Sequence, residues 1–592
     1  MIILKKIFFL LTRQEQKRSI FLLLMMLCMA LLDTIGVASI LPFIAVLSNP
    51  QLIETNQILS IFYKIGSFQT HQDFLFILGL IVFLILTSSL AFKALTVYFQ
   101  TRFTLMREYT ISRRLIQGYL RQPYEWFLNQ NSSDLGKNIL SEVNKTTTGI
   151  IIPILELIAQ SCVTVFLVAL LLFVDPFLSL IVSVVLGFSY FLIYKYNRSF
   201  LERIGKERVK ANQSRFISIN EAFGGIKEVK LANLESVYIK KFSDAAEIFA
   251  RNQSLCQVIE RIPRFVLEAI AFGGILIIIL YLLSVDYSFV DIIPIIALYA
   301  FAGYRLLPAI QQIYAAFTQI RFSKSSLNIL YDDIMNLNFP AHSAINEKIF
   351  FKENIVLEDI QYNYPNSIKT ALNNINISIP VKTTIGLVGV TGCGKTTVID
   401  LILGLLVPNR GYLKIDGKII EQRNIRSWQK LLGYVPQQIF LIDDTVEANI
   451  ALGVNPLDLD RAALKKAAKI ANINDFIINE LPLGYKTLIG EKGIRLSGGQ
   501  RQRIGIARAL YHNPEVLVFD EATSALDSLT EQSIMSSIQD LAKKITIIIV
   551  AHRLSTVKMC EKIYHLESGK VVSVGSYEDL MKQDVKFRKM AL

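Results

Sequence analysis

Val388-Gly-Val-Thr-Gly-Cys-Gly-Lys-Thr-Thr-Val-Ile-Asp400 decides how the second half of the chain folds. Residues 385–388 read as a short apolar strand and residues 398–406 as the helix that follows. Between them, Gly389 to Thr396 has the P-loop spacing G-x-x-x-x-G-K-[ST]. Gly389, Gly392 and Gly394, with the small Thr391 and Cys393, let backbone N–H groups curl around phosphate oxygens. The positive end of the new helix adds a favourable field. Lys395 is placed to reach β- and γ-phosphates, and the Thr396 hydroxyl to complete a Mg²⁺ shell.

The segments around this loop extend the same chemistry. Residues 355–362 and 372–379 read as strands with Tyr364 between them, and an aromatic ring ahead of a P-loop can stack on adenine. Tyr362 is the alternative platform, although strand alternation would bury it. Gly433-Tyr-Val-Pro-Gln-Gln438 places Gln437 at a strand end, where its amide can reach a metal and an attacking water. Leu496-Ser-Gly-Gly-Gln-Arg-Gln-Arg503 leads into a helix near residues 504–510. Ser497, the amides of Gly498 and Gly499 and that helix N-terminus form a second phosphate cradle. Val516-Leu-Val-Phe-Asp-Glu521 is an apolar strand ending in two carboxylates: Asp520 suits a Mg²⁺ shell and Glu521 can polarise a water. Ser524-Ala-Leu-Asp527 follows, and a further strand at residues 546–550 ends just before His552, which can contact a γ-phosphate.

The first half has a different composition. Of 592 residues, 52% are hydrophobic, and the mean hydropathy of +0.42 is too high for a soluble enzyme of this length. The apolar runs lie at residues 20–47, 74–92, 150–174, 177–194, 265–283 and 289–304. Each meets or approaches the roughly twenty residues that a hydrocarbon core requires, which predicts six spans. Residues 1–11, with Lys5 and Lys6, read as an uncleaved interfacial helix leading into a span. Lys and Arg crowd residues 100–148 and 195–261 but are almost absent from 48–72, 175–176 and 284–288. Both ends and the two long basic loops are therefore expected in the cytosol. This placement also accounts for the net charge of +13 without nucleic acid, since no basic stripe with interleaved aromatics lies outside the loops.

The basic loops read as spanning helices continued into the cytosol, with turns expected at residues 136–146 and 217–229. Residues 51–68 carry apolar side chains at helical spacing and suggest a short helix on the outer face. Within the spans, Lys93, Arg264 and Arg305 all fall near the inner leaflet, where they can converge on one anionic ligand. Snorkelling to head groups, or pairing of Arg264 with Glu268, is the plainer account of the first two. Asp33, near mid-membrane, requires a partner. The five cysteines show neither disulfide nor zinc spacing.

Taken together, the chain resembles the ATP-binding cassette transporters, with residues 496–500 as the signature sequence. The expected fold is a helical six-span membrane domain (residues 1–325), a linker (326–352) and an α/β P-loop nucleotide-binding domain (353–592). The resemblance implies ATP and Mg²⁺ as cofactors. It implies Lys395, Thr396 and Thr397 as Walker A ligands, Gln437 as the Q-loop residue, and Asp520 and Glu521 as metal ligand and catalytic base. Ser497 to Gln500 become the signature contacts, Asp527 the D-loop residue and His552 the switch histidine. Because one cassette's signature loop closes over another's P-loop in that family, a homodimer is implied.

The span pattern, Ile262-Pro-Arg-Phe-Val-Leu-Glu268 and Tyr304-Arg-Leu-Leu-Pro308 look similar to bacterial PglK-type flippases for lipid-linked oligosaccharides. That likeness implies Arg264 and Arg305, with Lys93 where an arginine is expected, facing a polyprenyl pyrophosphate. The resulting expectation is an ATP-driven flippase in a bacterial inner membrane that serves protein glycosylation. A lipid A or multidrug exporter is the alternative. A non-transporting membrane ATPase is a third class, and the presence of Glu521 and His552 argues against it.

Overall fold

The computed structural model describes residues 2–591 except 67, 69, 175, 285–288, 338–346, 366, 368, 522–527, 543 and 552–553. The chain forms two units: Met1–Gln122 with Gln130–Phe339, and Pro123–Asn129 with Pro340–Leu592.

The first unit is helical. Its main elements are Arg13–Ala38, Ile40–Ser48, His71–Leu120, Ile152–Val174, Pro176–Gly224, Glu235–Ser284 and Phe289–Asn336. Local chemistry sets several of their starts. Thr12 and Glu15 form a reciprocal capping box, and the Thr70 hydroxyl accepts the Asp73 N–H. Pro42 removes one backbone donor near the Ser39 break between the first two helices. Among the described residues, Arg13–Ser48, His71–Leu120 and Ser132–Val174 are long and apolar enough to cross a membrane. Their exposed Phe76, Phe83 and Phe173 suit lipid rather than water. The other three apolar runs lie in the helices Pro176–Gly224, Glu235–Ser284 and Phe289–Asn336.

His71–Leu120 has 50 residues. At about 1.5 Å each it spans about 75 Å, more than twice a hydrocarbon core, so it runs on beyond one, as the basic loops suggest. The turns fall elsewhere than expected. Residues 136–146 are helical, with π-helical stretches at Asn138–Glu142 and Thr147–Ile151. The chain reverses instead around the short helix Tyr124–Phe127, because Pro123 cannot continue the preceding helix. The second reversal comes after Gly224, through Ile226–Leu231, so only the end of the expected 217–229 window turns.

The linker also begins later than residue 326. The last helix continues to Asn336, with Leu327, Leu330 and Ile334 buried at helical spacing among polar neighbours. Leu52–Thr55 and Gln57–Ile65 form the expected outer helical segment. Ile53 and Tyr63 pack toward Phe74, while Ile61 and Phe62 stay exposed.

The interior of this unit carries polar clusters where the helices extend past the spans. Arg208 bonds Glu142 at 2.6 Å and Ser326 at 2.8 Å, and Asn212 bonds the other Glu142 oxygen at 3.0 Å. Arg208 and Glu142 are 2% and 0% exposed, so these contacts must offset the cost of removing two charges from water.

The second unit is α/β. Its strands are β1 (Asn354–Tyr362), β2 (Leu372–Pro380), β3 (Thr384–Val388), β4 (Arg410–Ile415), β5 (Lys418–Ile419), β6 (Leu432–Val435), β7 (Val516–Asp520), β8 (Thr546–Val550), β9 (Lys562–Glu567) and β10 (Lys570–Gly575). One sheet is antiparallel in the order β2-β1-β4-β5, and the other runs β10-β9-β3-β8-β7-β6. In the second, β9, β3, β8, β7 and β6 are parallel. Every residue of β3, β7 and β8 is buried, as continuous apolar runs covered on both faces require. Opposed pairs Leu387↔Val550 and Asp520↔Val550 align the carboxyl ends of these three strands, where an open α/β sheet binds ligands.

Candidate nucleotide site and intramembrane charge cluster

The P-loop leaves β3 with Gly389 at φ +150°, where an added Cβ would lie 2.2 Å from the Leu566 carbonyl oxygen. Gly394 has φ +106°, and its Cβ would meet Leu372 at 2.6 Å. Only glycine fits at either point, so the loop is drawn tight against β9 and β2. The helix Lys395–Ile402 starts directly after it. Lys395 is 6% exposed, and its Nζ donates to the carbonyls of Gly389 at 2.8 Å and Val390 at 3.2 Å. The side chain therefore curls over the loop it would serve. Thr391 and Gly392 lie on the exposed rim, and Cys393 is buried.

The two threonines diverge. Thr396 is exposed at the helix start. Thr397 is buried, and its hydroxyl lies 3.0 Å from that of Tyr364. Tyr364 stacks edge-on against Tyr362 with ring centroids 5.1 Å apart. Tyr362 is fully buried, as strand alternation requires, and donates to Glu125 at 2.9 Å. Tyr364 is thus the more accessible of the two rings beside the P-loop.

Across the sheet, Asp520 is 6% exposed at the end of β7 and accepts from the Tyr434 hydroxyl at 3.3 Å. Glu521 follows at φ +51°, an uncommon conformation for a residue with a Cβ, and its N–H donates to Val550 at 3.1 Å. Gln437, beyond β6, donates its amide to Glu521 at 2.7 Å. The sheet therefore brings the loop, the two carboxylates and the glutamine to one edge. Thr396 and Asp520 supply hard oxygen donors without a closed protein cage, which fits Mg²⁺, an ion that keeps water and phosphate oxygens in its shell. Asp527 and His552 lie outside the described residues.

Asp400, one turn into the P-loop helix from Thr396, had no expected role. It is 9% exposed, and burial, reinforced by the charge of Asp520, pushes its carboxyl up to about 6. The sequence signal was a carboxylate set among Val398, Ile399, Leu401 and Ile402, all buried.

Ser497 caps the helix Gly498–Tyr511. Its hydroxyl accepts the Gln500 N–H at 3.2 Å, and its own N–H donates to the Gln500 side chain at 2.8 Å. Gly498 and Gly499 thus open the helix with their amides at its positive end.

In the first unit, two of the three expected cations meet. Arg305 Nη1 lies 3.2 Å from one Asp33 oxygen, and Lys93 Nζ lies 3.9 Å from the other. Asp33 therefore has its partners. Arg264 does not join them: it bonds Glu268 at 2.6 Å, one turn away on its own helix. This pair lines a cavity of about 70 Å³ with Tyr190, Leu307, Pro308 and Gln311. The structure thus gathers two of the three expected cations around an internal carboxylate, while a neighbouring glutamate pairs with Arg264 locally.

Comparison with known proteins agrees with this geometry. The family profile described as "ABC transporter" matches residues 372–524, and that described as "ABC transporter transmembrane region" matches 19–304. A protein of Saccharophagus degradans described as "ATP-dependent lipid A-core flippase" is 30% identical over 480 residues, 80% of this chain and 79% of that protein. One of Aliivibrio fischeri with the same description is 28% identical over 481 residues, covering 81% and 82%. The solved structure of a bacterial Atm1-family ABC exporter with ATP bound superposes with a TM-score of 0.77 over 97% of both chains at 21% identity, a likeness of fold.

Proposed function

Since this chain belongs to the ABC transporter family, with an exporter fold and an ATP-hydrolysing cassette, we propose that it moves an amphipathic lipid with a phosphorylated saccharide headgroup out of the cytoplasmic leaflet of a bacterial inner membrane. The observation that carries this reading is the pair of relatives described as lipid A-core flippases, each aligned over about four-fifths of this chain. A lipid A-like glycolipid is therefore the first substrate class, ahead of the polyprenyl-linked oligosaccharide that the PglK-type resemblance implies. The second class keeps one specific support, the Lys93 and Arg305 cations gathered around Asp33.

In this reading two copies pair about a two-fold axis, and each supplies the P-loop of one ATP site and the signature helix of the other. Lys395 and the P-loop amides hold the phosphates, Tyr364 stacks on adenine, and Ser497 with the amides of Gly498 and Gly499 contacts the γ-phosphate across the pair. Thr396, Asp520 and Gln437 would hold Mg²⁺, which would supply positive charge to offset that of the phosphates. Glu521 orients and deprotonates the attacking water, and His552 and Asp527 complete the site. ATP binding favours the closed pair and shifts the spans outward, and hydrolysis resets them. The segment Pro123–Asn129 folds with the cassette although it lies in sequence between membrane helices.

The test is ATP-dependent translocation in proteoliposomes, with a labelled lipid A-type glycolipid and a polyprenyl-pyrophosphate glycan in separate arms. Transport of the first supports the leading reading and transport of the second alone supports the other; transport of neither removes both. Glu521→Gln should lower hydrolysis by roughly 10²- to 10⁴-fold while retaining ATP in a paired state.

A further inference from the structure

Asp33 stands on the Arg13–Ala38 helix with 3% of its surface exposed, and Ala30 and Val37 of that helix belong to a buried apolar cluster with Ala302 and Leu306. A charge so placed is costly unless it is paired. Its two partners come from two other helices, His71–Leu120 and Phe289–Asn336, so the carboxylate ties three helices through one charge. The pairing is loose. Lys93 is 3.9 Å away, and the oxygen that faces Arg305 at 3.2 Å lacks hydrogen-bond geometry to any group among the described residues. The cations are more open than the anion, at 35% for Lys93 and 20% for Arg305. Two positive charges against one negative leave this cluster net positive.

We propose that Asp33 is an internal stand-in for the anion of the transported molecule: it holds Lys93 and Arg305 between transport events and yields them to a phosphate group. This rests on the reading of a phosphate-bearing lipid and adds the residue that sets its charge requirement. A guanidinium binds phosphate through two parallel hydrogen bonds, whereas here it meets Asp33 without one well-formed bond. A phosphate dianion therefore outcompetes the carboxylate, while a zwitterionic headgroup, carrying its own cation, does not. Asp33 acts on selection through the two cations it occupies, as a positioning residue.

The experiment measures binding to the full chain in nanodiscs, without reliance on turnover. The probe is fluorescent dioctanoyl phosphatidic acid, with dioctanoyl phosphatidylcholine and inorganic pyrophosphate as competitors. Asp33→Asn removes the competing charge and should tighten phosphatidic acid binding about tenfold, with a steeper salt dependence. Asp33→Glu should restore the wild-type value, and Arg305→Gln in the Asp33→Asn background should abolish the gain. Competition by pyrophosphate would support the exchange with a soluble anion as occupant; competition by neither compound would support the lipid-borne phosphate headgroup, and competition by phosphatidylcholine would overturn the proposal. Equal or weaker binding by Asp33→Asn, or no binding by either protein, overturns the proposal. Should Asp33→Asn fail to accumulate, unchanged affinity in Arg305→Lys, which keeps charge but loses the fork, overturns it as well. Failure of glycolipid translocation, read in proteoliposomes, would overturn the transport reading while leaving this binding result to stand or fall on its own.

Discussion

Asp400→Asn should stabilise the cassette, and by an amount that depends on pH. The carboxyl is 9% exposed and sits near Asp520. Burial first, and the neighbouring charge second, raise its pKa from 3.8 to about 6. A carboxylate with a raised folded pKa binds protons more readily in the folded state, so stability is lost as pH rises from 3.8 through about 6. Above that range the penalty is constant, at about 3 kcal/mol for a shift of this size. Asparagine cannot ionise and escapes the penalty.

Trp428 provides the probe: it is fully buried in the cassette and donates to the Ile402 carbonyl at 2.7 Å, at the end of the same helix. With Trp126 replaced by Phe, its fluorescence reports that transition alone, since the chain has two tryptophans. In EDTA and without nucleotide, Asp400→Asn should raise the midpoint by about 6–10 °C at pH 7.5. The gain should shrink steadily toward pH 4. Mg²⁺ and ATP should also reduce it, because a cation at Asp520 offsets the charge that Asp400 feels. A gain independent of pH would refute the electrostatic cause, and a gain unaffected by Mg²⁺ and ATP would refute the placement of the metal at Asp520.

Two further substitutions test the framework. Arg208→Ala leaves Glu142 buried without its cation and should cost about 3–5 kcal/mol, seen as a lower melting point by circular dichroism. Replacing both residues with Met and Leu should recover most of that loss, and failure to recover it would mean that the pair does more than satisfy itself. Asp584→Asn should loosen the last helix. Burial works to raise that carboxyl, but the Ser573 hydroxyl, the Phe587 N–H and His565 outweigh it and hold the carboxyl below the usual range. Its contribution is therefore full above about pH 4 and lost as pH falls below that. The mutant should melt earlier at pH 7, by about 1–3 kcal/mol, and converge with wild type in acid.

The cassette was legible in the sequence because its elements are short and sharply punctuated. Strand β8 begins and ends at the residues its apolar run suggests. The runs before Gly389 and Glu521 end where phosphate and metal chemistry demand a turn. The long helices were less legible at their cytosolic ends. Gly136 reads as a breaker, yet the helix passes through it, while Pro123, earlier in the same basic stretch, makes the actual reversal. Residues 326–336 look like linker because their surface is polar, and only the spacing of Leu327, Leu330 and Ile334 betrays the helix. Pairing in the membrane was hidden for another reason. Asp33 and Arg305 are far apart in sequence, and no local pattern distinguishes a cation that awaits a ligand from one held by a carboxylate on another helix.

The same distinction between what the sheet fixes and what a single side chain holds separates Gln437 from the rest of the nucleotide site. The P-loop and Glu521 follow β3 and β7, interior strands paired on both sides, so their backbones are set by the sheet. Gln437 follows β6, which among the described residues pairs only with β7, and its side chain reaches the site through one hydrogen bond to Glu521. That bond is worth about 1 kcal/mol and can exchange without unfolding anything. Glu521, held at φ +51° and tied by its N–H to Val550, keeps its backbone when the bond breaks but loses the amide that orients its carboxylate. Gln437→Ala should therefore leave ATP affinity close to wild type and lower turnover about tenfold or more, a loss of about 1.4 kcal/mol in the barrier. Lipid stimulation should fall with it. Unchanged turnover would show that Glu521 needs no such partner, and a large loss of Mg-ATP affinity would show that Gln437 acts mainly through the metal and nucleotide rather than through Glu521.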